Sequence, residues 1–137
     1  YTDIYFWPQG TNDLKYVSEL LNSLQASSKV KILPFGLKSY TDFLLCTNVD
    51  YIGTRLHAGI YALKHFKRSL ILSIDNRAAE IAKDVNLPVL PRDNITAIKQ
   101  YIHNQSPLRL ELPIHNIRKW SKQLRSDLGL DNHEVST

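Results

Sequence analysis

The chain has 137 residues, 43% hydrophobic and 22% charged, which excludes a disordered or fibrous protein and fits one cored domain. Its 17 Lys and Arg against 13 Asp and Glu leave a net charge of +4, which suits an anionic ligand and makes no case for nucleic acid as a partner. The single cysteine, Cys46, excludes an internal disulfide, and no Cys/His spacing suits zinc, so a reducing, cytoplasmic compartment is the expectation.

No apolar run approaches the roughly 20 residues of a membrane span, and the N-terminus lacks the basic-then-apolar layout of a signal peptide. Methionine is absent, and the opening Tyr1-Thr2-Asp3-Ile4-Tyr5-Phe6-Trp7 reads as a strand already under way. The expectation is a fragment of a longer chain.

Short apolar runs rich in β-branched and aromatic residues alternate with stretches of helical period, the pattern of a parallel sheet covered by helices. Strands are predicted over residues 4–7, 30–33, 49–52 and 70–74, with a weak fifth at 89–90. Helices are predicted over residues 13–25, 39–46, 56–66, 76–84, 95–103 and 114–128. The first opens after Thr11, Asn12 and Asp13, whose side chains can cap free amides, and Val17, Leu20, Leu21 and Leu24 then share one face. Asp93 or Asn94 caps the stretch in which Ile95, Ile98 and Ile102 recur at helical spacing. Both stripes are predicted to be core, and residues 131–137 read as a frayed tail. The fold class is therefore α/β: a Rossmann-like parallel sheet of about five strands flanked by helices, in one domain spanning residues 1–137.

Right-handed crossovers put every strand-to-helix loop at one edge of such a sheet, where ligands bind. Those loops are residues 8–13, 34–38, 53–57, 75–77 and 91–93. Gln9, Asp13 and Lys38 lie on that edge, where they either touch a ligand or cap and solvate.

Several familiar motifs are absent. Only Gly10 stands where a dinucleotide fingerprint needs three glycines. Five residues separate Gly53 from Gly59 where a Walker A loop needs four, and Ile60-Tyr61 follow, so there is no Walker A loop. Neither a Gly-x-Ser-x-Gly elbow nor His-Glu-x-x-His occurs, and the five histidines are scattered, so no metal site is expected. What remains is Asp50-Tyr51-Ile52-Gly53-Thr54-Arg55-Leu56-His57-Ala58-Gly59-Ile60. Its strand delivers a glycine turn, then an arginine and a histidine at a helix start, where the dipole favours an anion. Leu56, Ile60 and Leu63 are predicted to form the buried stripe of that helix. Gly53 and Gly59 permit close backbone approach, for a ligand or for packing. A lone Arg and His at a helix start are also common surface residues, and Asp75-Asn76-Arg77 after the next strand reads equally as a helix cap.

The run Gly53-Thr54-Arg55-Leu56-His57-Ala58-Gly59-Ile60-Tyr61-Ala62-Leu63 resembles the polysaccharide pyruvyl transferase family, whose hallmark is a glycine, one residue, then Arg-Leu-His at the start of an apolar helix. The resemblance runs from Val49-Asp50-Tyr51-Ile52 through Leu70-Ile71-Leu72-Ser73-Ile74 to Asn86-Leu87-Pro88, covering residues 40–95. It implies the C-terminal, donor-side half of a two-domain, glycosyltransferase-B-like fold, with the missing N-terminal domain as its partner. Members of the family transfer the enolpyruvyl moiety of phosphoenolpyruvate to a sugar, forming a pyruvate ketal on a surface polysaccharide or its precursor. The resemblance makes Arg55 a ligand of the donor's phosphate or carboxylate and His57 a catalytic acid or base, with Gly53 and Thr54 beside them. Phosphoenolpyruvate enters as donor substrate, with no further cofactor. The acceptor is a saccharide, with a lipid-linked form at the inner face of the cell membrane among the options. Where the family carries a tyrosine and a lysine after the following strand, Ile74-Asp75-Asn76-Arg77 stands here, so Asp75 and Arg77 are counted as substrate-binding, Arg77 supplying the charge with a different geometry.

The residue types suit that chemistry. Both anions of phosphoenolpyruvate fit the planar arginine fork. Ketal formation needs a proton delivered to the methylene carbon and protons removed from two hydroxyls, work within reach of a histidine. Two other classes stay open: a nucleotide-sugar-binding half of a glycosyltransferase, with Asp75 or Glu80 as ribose clamp, and a non-catalytic relative of the same fold. The isolated fragment is expected to turn over little. The last helix sets Arg118, Lys119, Lys122 and Arg125 beside Ile114, Ile117, Leu124 and Leu128, with Trp120 near the boundary. Such a helix can lie on a membrane or a polyanion, and general grounds favour docking on its own domain or the missing half.

Overall fold

The computed structural model describes residues 1–25, 29–104 and 109–129, so the tail read at 131–137 lies outside the described residues. Elements follow in the order β1 (Ile4–Phe6), α1 (Thr11–Ser23), β2 (Val30–Ile32), α2 (Leu37–Cys46), β3 (Tyr51–Gly53), α3 (Leu56–Lys64), β4 (Ser69–Ser73), α4 (Asn76–Val85), β5 (Val89–Pro91), α5 (Ile95–His103) and α6 (Ile114–Asp127). Every predicted element is present, and every strand pairing is parallel. The strands form two ladders rather than one: β1 pairs with β2, and β3, β4 and β5 form a three-stranded sheet in that order. Strand alternation in a sequence identifies a strand and the face it buries, and says nothing about which edge finds which neighbour. The chain, read above as one domain, groups into two compact units, Tyr1–Asp50 with Tyr61–Arg68, and Tyr51–Ile60 with Ser69–Thr137.

In the first unit aromatic packing dominates. The Trp7 indole stacks on the Tyr40 ring with centroids 4.0 Å apart, and its Nε1 donates to the Gly36 carbonyl at 3.3 Å. Tyr5 packs on Phe43 at 4.7 Å, and Pro8, Val17, Tyr40, Leu44 and Ala62 are buried. The apolar stripe of α1 is only partly core: Val17 is buried, whereas Leu20 and Leu24 are exposed, Leu24 to 64%. Helical spacing aligns side chains on a face without saying how wide a surface that face meets. The start of α1 also differs from the expected cap. Gly10 is the N-cap and offers no side chain, while Asp13, three residues on, accepts from the Gln9 backbone N–H at 3.0 Å, a variant of the capping box.

An ionic cluster closes this unit. Arg68 Nη1 donates to Asp50 Oδ2 at 2.6 Å, with 14% and 22% of the two side chains exposed, and the Tyr1 hydroxyl donates to the same carboxylate oxygen. The shared carboxylate holds the Tyr1 phenol above its ordinary range. At the end of α3, Phe66 has φ +58° and is 98% exposed; its N–H donates to Leu63 O at 2.9 Å, and the Lys67 N–H donates to Ala62 O at 3.0 Å. This left-handed C-terminal turn is one that glycine ordinarily fills.

The second unit is built on β4, where Ser69, Leu70 and Ile71 are fully buried. Leu70 and Ile71 make it the central strand of a two-sided core, β3 and β5 flanking it. The Tyr101 hydroxyl of α5 donates to the Ser69 carbonyl at 2.9 Å. Helix α4 packs against β4 and β5 and buries Ala78, and its C-cap Asn86 takes the left-handed conformation, its amide donating to the Arg109 carbonyl at 2.9 Å. Asn94 caps α5 by accepting from the Ala97 N–H at 3.1 Å, as one of the two expected residues. The stripe of α5 is less buried than expected: Ile98 and Ile102 are half-buried and Ile95 is exposed.

Replacing Asp50 by Ala removes a charge-assisted hydrogen bond from a half-buried arginine and is expected to cost about 1.5–3 kcal/mol in urea unfolding. Phe66→Gly loses almost no burial, relieves a left-handed bulky residue, and is expected to stabilise by about 0.5–1 kcal/mol in the same measurement.

Candidate functional site

The strands β3, β4 and β5 run parallel in the registers Gly53↔Ile71 and Ser73↔Pro91, so their C-terminal ends and the loops that follow share one edge of the sheet. Neighbouring strands lie about 4.8 Å apart, which places the Thr54–His57 loop next to the Asp75–Arg77 loop, and that next to Arg92 and Asp93. Of the candidate residues, Gly53, Thr54, Arg55, His57, Asp75 and Arg77 belong to this unit, whereas Gln9, Asp13 and Lys38 belong to the other.

The turn from β3 into α3 is locked by its own tyrosine. The Tyr51 hydroxyl donates to the Arg55 carbonyl at 3.0 Å, and that carbonyl also accepts the Gly59 N–H at 3.2 Å, the first turn of α3. A β-carbon on Gly53 would stand 2.6 Å from the Tyr51 hydroxyl, so the tyrosine lies across the glycine. On Gly59 it would stand 2.7 Å from Ile71 Cγ1 and 3.0 Å from Tyr51 Cε1. Both glycines therefore serve packing, one of the two roles open for them above. The buried face of α3 also differs from the expected one. Ala58, Gly59 and Ala62 are buried, whereas Leu56, Ile60 and Leu63 are half-buried. The approach of Gly59 to Ile71 of β4 selects a residue without a side chain, a signal that a count of large apolar positions passes over.

With the backbone held in this way, Arg55 and His57 are exposed at the N-terminal end of α3, and Thr54 is exposed beside them. The positive end of the helix dipole adds to the guanidinium there. Burial pushes the Tyr51 phenol up to about 12, with the nearby Arg55 charge opposing.

The neighbouring loop is differently disposed. Asp75 is the N-cap of α4, accepting from the Arg77 N–H at 3.0 Å, and the same carboxylate takes Arg77 Nε at 3.0 Å and Nη2 at 2.7 Å. Hydrogen bonding to Arg77 holds the Asp75 carboxyl below its usual range, and Asp75 raises Arg77 in turn. Of the two readings for Asp75, the cap is the one the geometry carries. An anion at this edge would have to take Arg77 from Asp75, an exchange that exposure makes inexpensive. Lys38 is likewise paired with Asp42, one turn on in α2, at 2.6 Å. Gln9 is half-buried with its N–H on Asp13, which assigns Asp13 a structural role.

Two further residues carry weight here without having stood out as chemistry: Tyr51, legible in retrospect as an aromatic two residues before one glycine and eight before another, and Arg92, at the end of β5 on the same edge. Among the described residues no group of three His, Cys, Asp or Glu side chains could hold a metal ion, and no helix is long and apolar enough to cross a membrane. Comparisons with protein-family models, with curated proteins and with solved structures return no match.

The Tyr51 lock has a pH signature. Because the fold raises this phenol from 10.0 to about 12, its contribution is complete below pH 10 and is lost as pH rises through about 12. The fall in stability between those values is expected to be shallower in Tyr51→Phe than in the parent, as read by urea unfolding at stepped pH. Gly59→Val drives a branched side chain into Ile71 and Tyr51 and is expected to lower stability by about 1–3 kcal/mol.

Proposed function

We propose that this chain is the donor-binding half of a glycosyltransferase-B-like transferase that uses phosphoenolpyruvate to form a pyruvate ketal on a saccharide. The observation that carries the reading is Arg55 and His57, exposed at the start of α3 on a turn fixed by Tyr51, Gly53 and Gly59. The Rossmann-like character and the cytoplasmic setting go with it, and the two-ladder sheet is compatible with one half of such a fold.

In this scheme Arg55 forks onto the donor's carboxylate or phosphate, and the dipole of α3 adds its positive end. One sugar hydroxyl adds to the central carbon as the methylene carbon takes a proton. The bond to the phosphate oxygen then breaks, and a second hydroxyl adds to the same carbon. One ketal and one inorganic phosphate result, with the two hydroxyl protons balanced by the new methyl hydrogen and the phosphate. His57, exposed two residues on from Arg55, is the imidazole that would give or take these protons. Arg77, on the adjacent loop, is a second cation available once the ligand draws it from Asp75.

Asp75 and Glu80, the acids a nucleotide-sugar half would use as ribose clamp, are occupied by Arg77 and by Lys83 at 2.7 Å.

Titration of the chain with phosphoenolpyruvate in a calorimeter tests the reading. Binding is expected in the parent and is expected to weaken about 10- to 150-fold in Arg55→Ala, the equivalent of about 1.5–3 kcal/mol, with the circular dichroism unchanged. Equal binding in a folded Arg55→Ala, or preference for a uridine nucleotide, would overturn it.

A further inference from the structure

The last helix, α6, has a face with no assigned role. Its 14 residues bury no side chain, and Ile114, Ile117, Trp120, Leu124 and Leu128 at its C-cap are all exposed, Trp120 to 64%. At 3.6 residues per turn, Ile114, Ile117, Leu124 and Leu128 fall within a sector of about 80°, with Trp120 at its margin. On the other side of that sector begins a band of about 120° holding Arg125, Arg118, Lys122 and Lys119. Asp127 is the only acid in the helix, so α6 carries three of the chain's four net positive charges.

We infer that α6 docks flat on an anionic phospholipid surface, its isoleucine and leucine side chains in the acyl boundary and its cations among the headgroups. The proposal does not depend on the donor reading. Three features select this occupant. A narrow apolar strip bordered on one side by cations, with a tryptophan beside its other margin, is the layout of an interfacial helix. The long Arg and Lys stems can lie along the apolar boundary while their heads reach phosphates. Antiparallel pairing with a second copy is disfavoured, because that two-fold would set the like-charged bands side by side. The helix is also too short and too charged to span, so it lies in the interface plane.

Flotation of the chain with phosphatidylcholine vesicles, with and without about one quarter phosphatidylglycerol, tests the inference. The chain is expected to float with the anionic vesicles, at least about tenfold more than with the neutral ones, and to be released by salt. Lys119→Glu with Lys122→Glu is expected to weaken that binding at least about tenfold, and Leu124→Ser to weaken it in salt that the charges still tolerate. Both variants change only exposed positions, and circular dichroism confirms the fold. Absence of flotation in the folded parent would overturn the inference, as would binding indifferent to the two charge reversals. A dimer in sedimentation that Leu124→Ser breaks would also overturn it, by giving the face to a second copy.

Discussion

The second unit depends on one close approach. Gly59 of α3 stands against Ile71 of β4 and the Tyr51 ring, where a β-carbon would lie 2.7 Å from Ile71 Cγ1 and 3.0 Å from Tyr51 Cε1, so any side chain at residue 59 would force a neighbour to shift. A glycine inside a helix costs about 1 kcal/mol relative to alanine, so its place there needs a packing return. That return is a fully buried Ile71 and a tyrosine laid across Gly53, whose hydroxyl ties down the Arg55 carbonyl. The same contact that packs the core therefore fixes the backbone from which Arg55 and His57 project. Packing and site are one local structure here, which is why a stability variant at Gly59 and a chemistry variant at Arg55 address adjacent links of a single chain of causes.

Local pattern carried the element list well, and lateral pairing poorly. The helix over residues 95–103 falls where its isoleucine spacing and Asn94 cap put it, because both signals are local. The strand at residues 49–52 is displaced to Tyr51–Gly53: Val49 is β-favouring, whereas Asp50 is not and is drawn to Arg68. Division into two ladders could not be read, since three-residue strands carry no information on which edge meets which. Leu20, Leu24 and Ile95 show the complementary failure. Their spacing is that of a buried stripe, yet burial is decided by the width of the surface a helix meets.

At the site, residue type and loop position located Arg55 and His57, and the structure sets both in the open at a helix start. What the sequence could not tell was the state of their neighbours. Asp75 and Arg77 read as one acid and one base near a ligand edge, and they turn out to satisfy each other while capping α4. Lys38 with Asp42 and Asp13 with Gln9 follow the same logic, since a charged side chain close to a partner in sequence generally finds it first. Those residues form a reserve that an anion could recruit, and Arg55 stands exposed beside the positive end of α3.

The most direct measurement is amide chemical-shift mapping of the chain during addition of phosphoenolpyruvate. The account expects the largest changes at Thr54, Arg55, Leu56 and His57, with a second group at Asn76 and Arg77 on the neighbouring strand end. Changes centred on the opposite ends of β3 and β4, or an unperturbed Thr54–His57 turn at saturating donor, would contradict it.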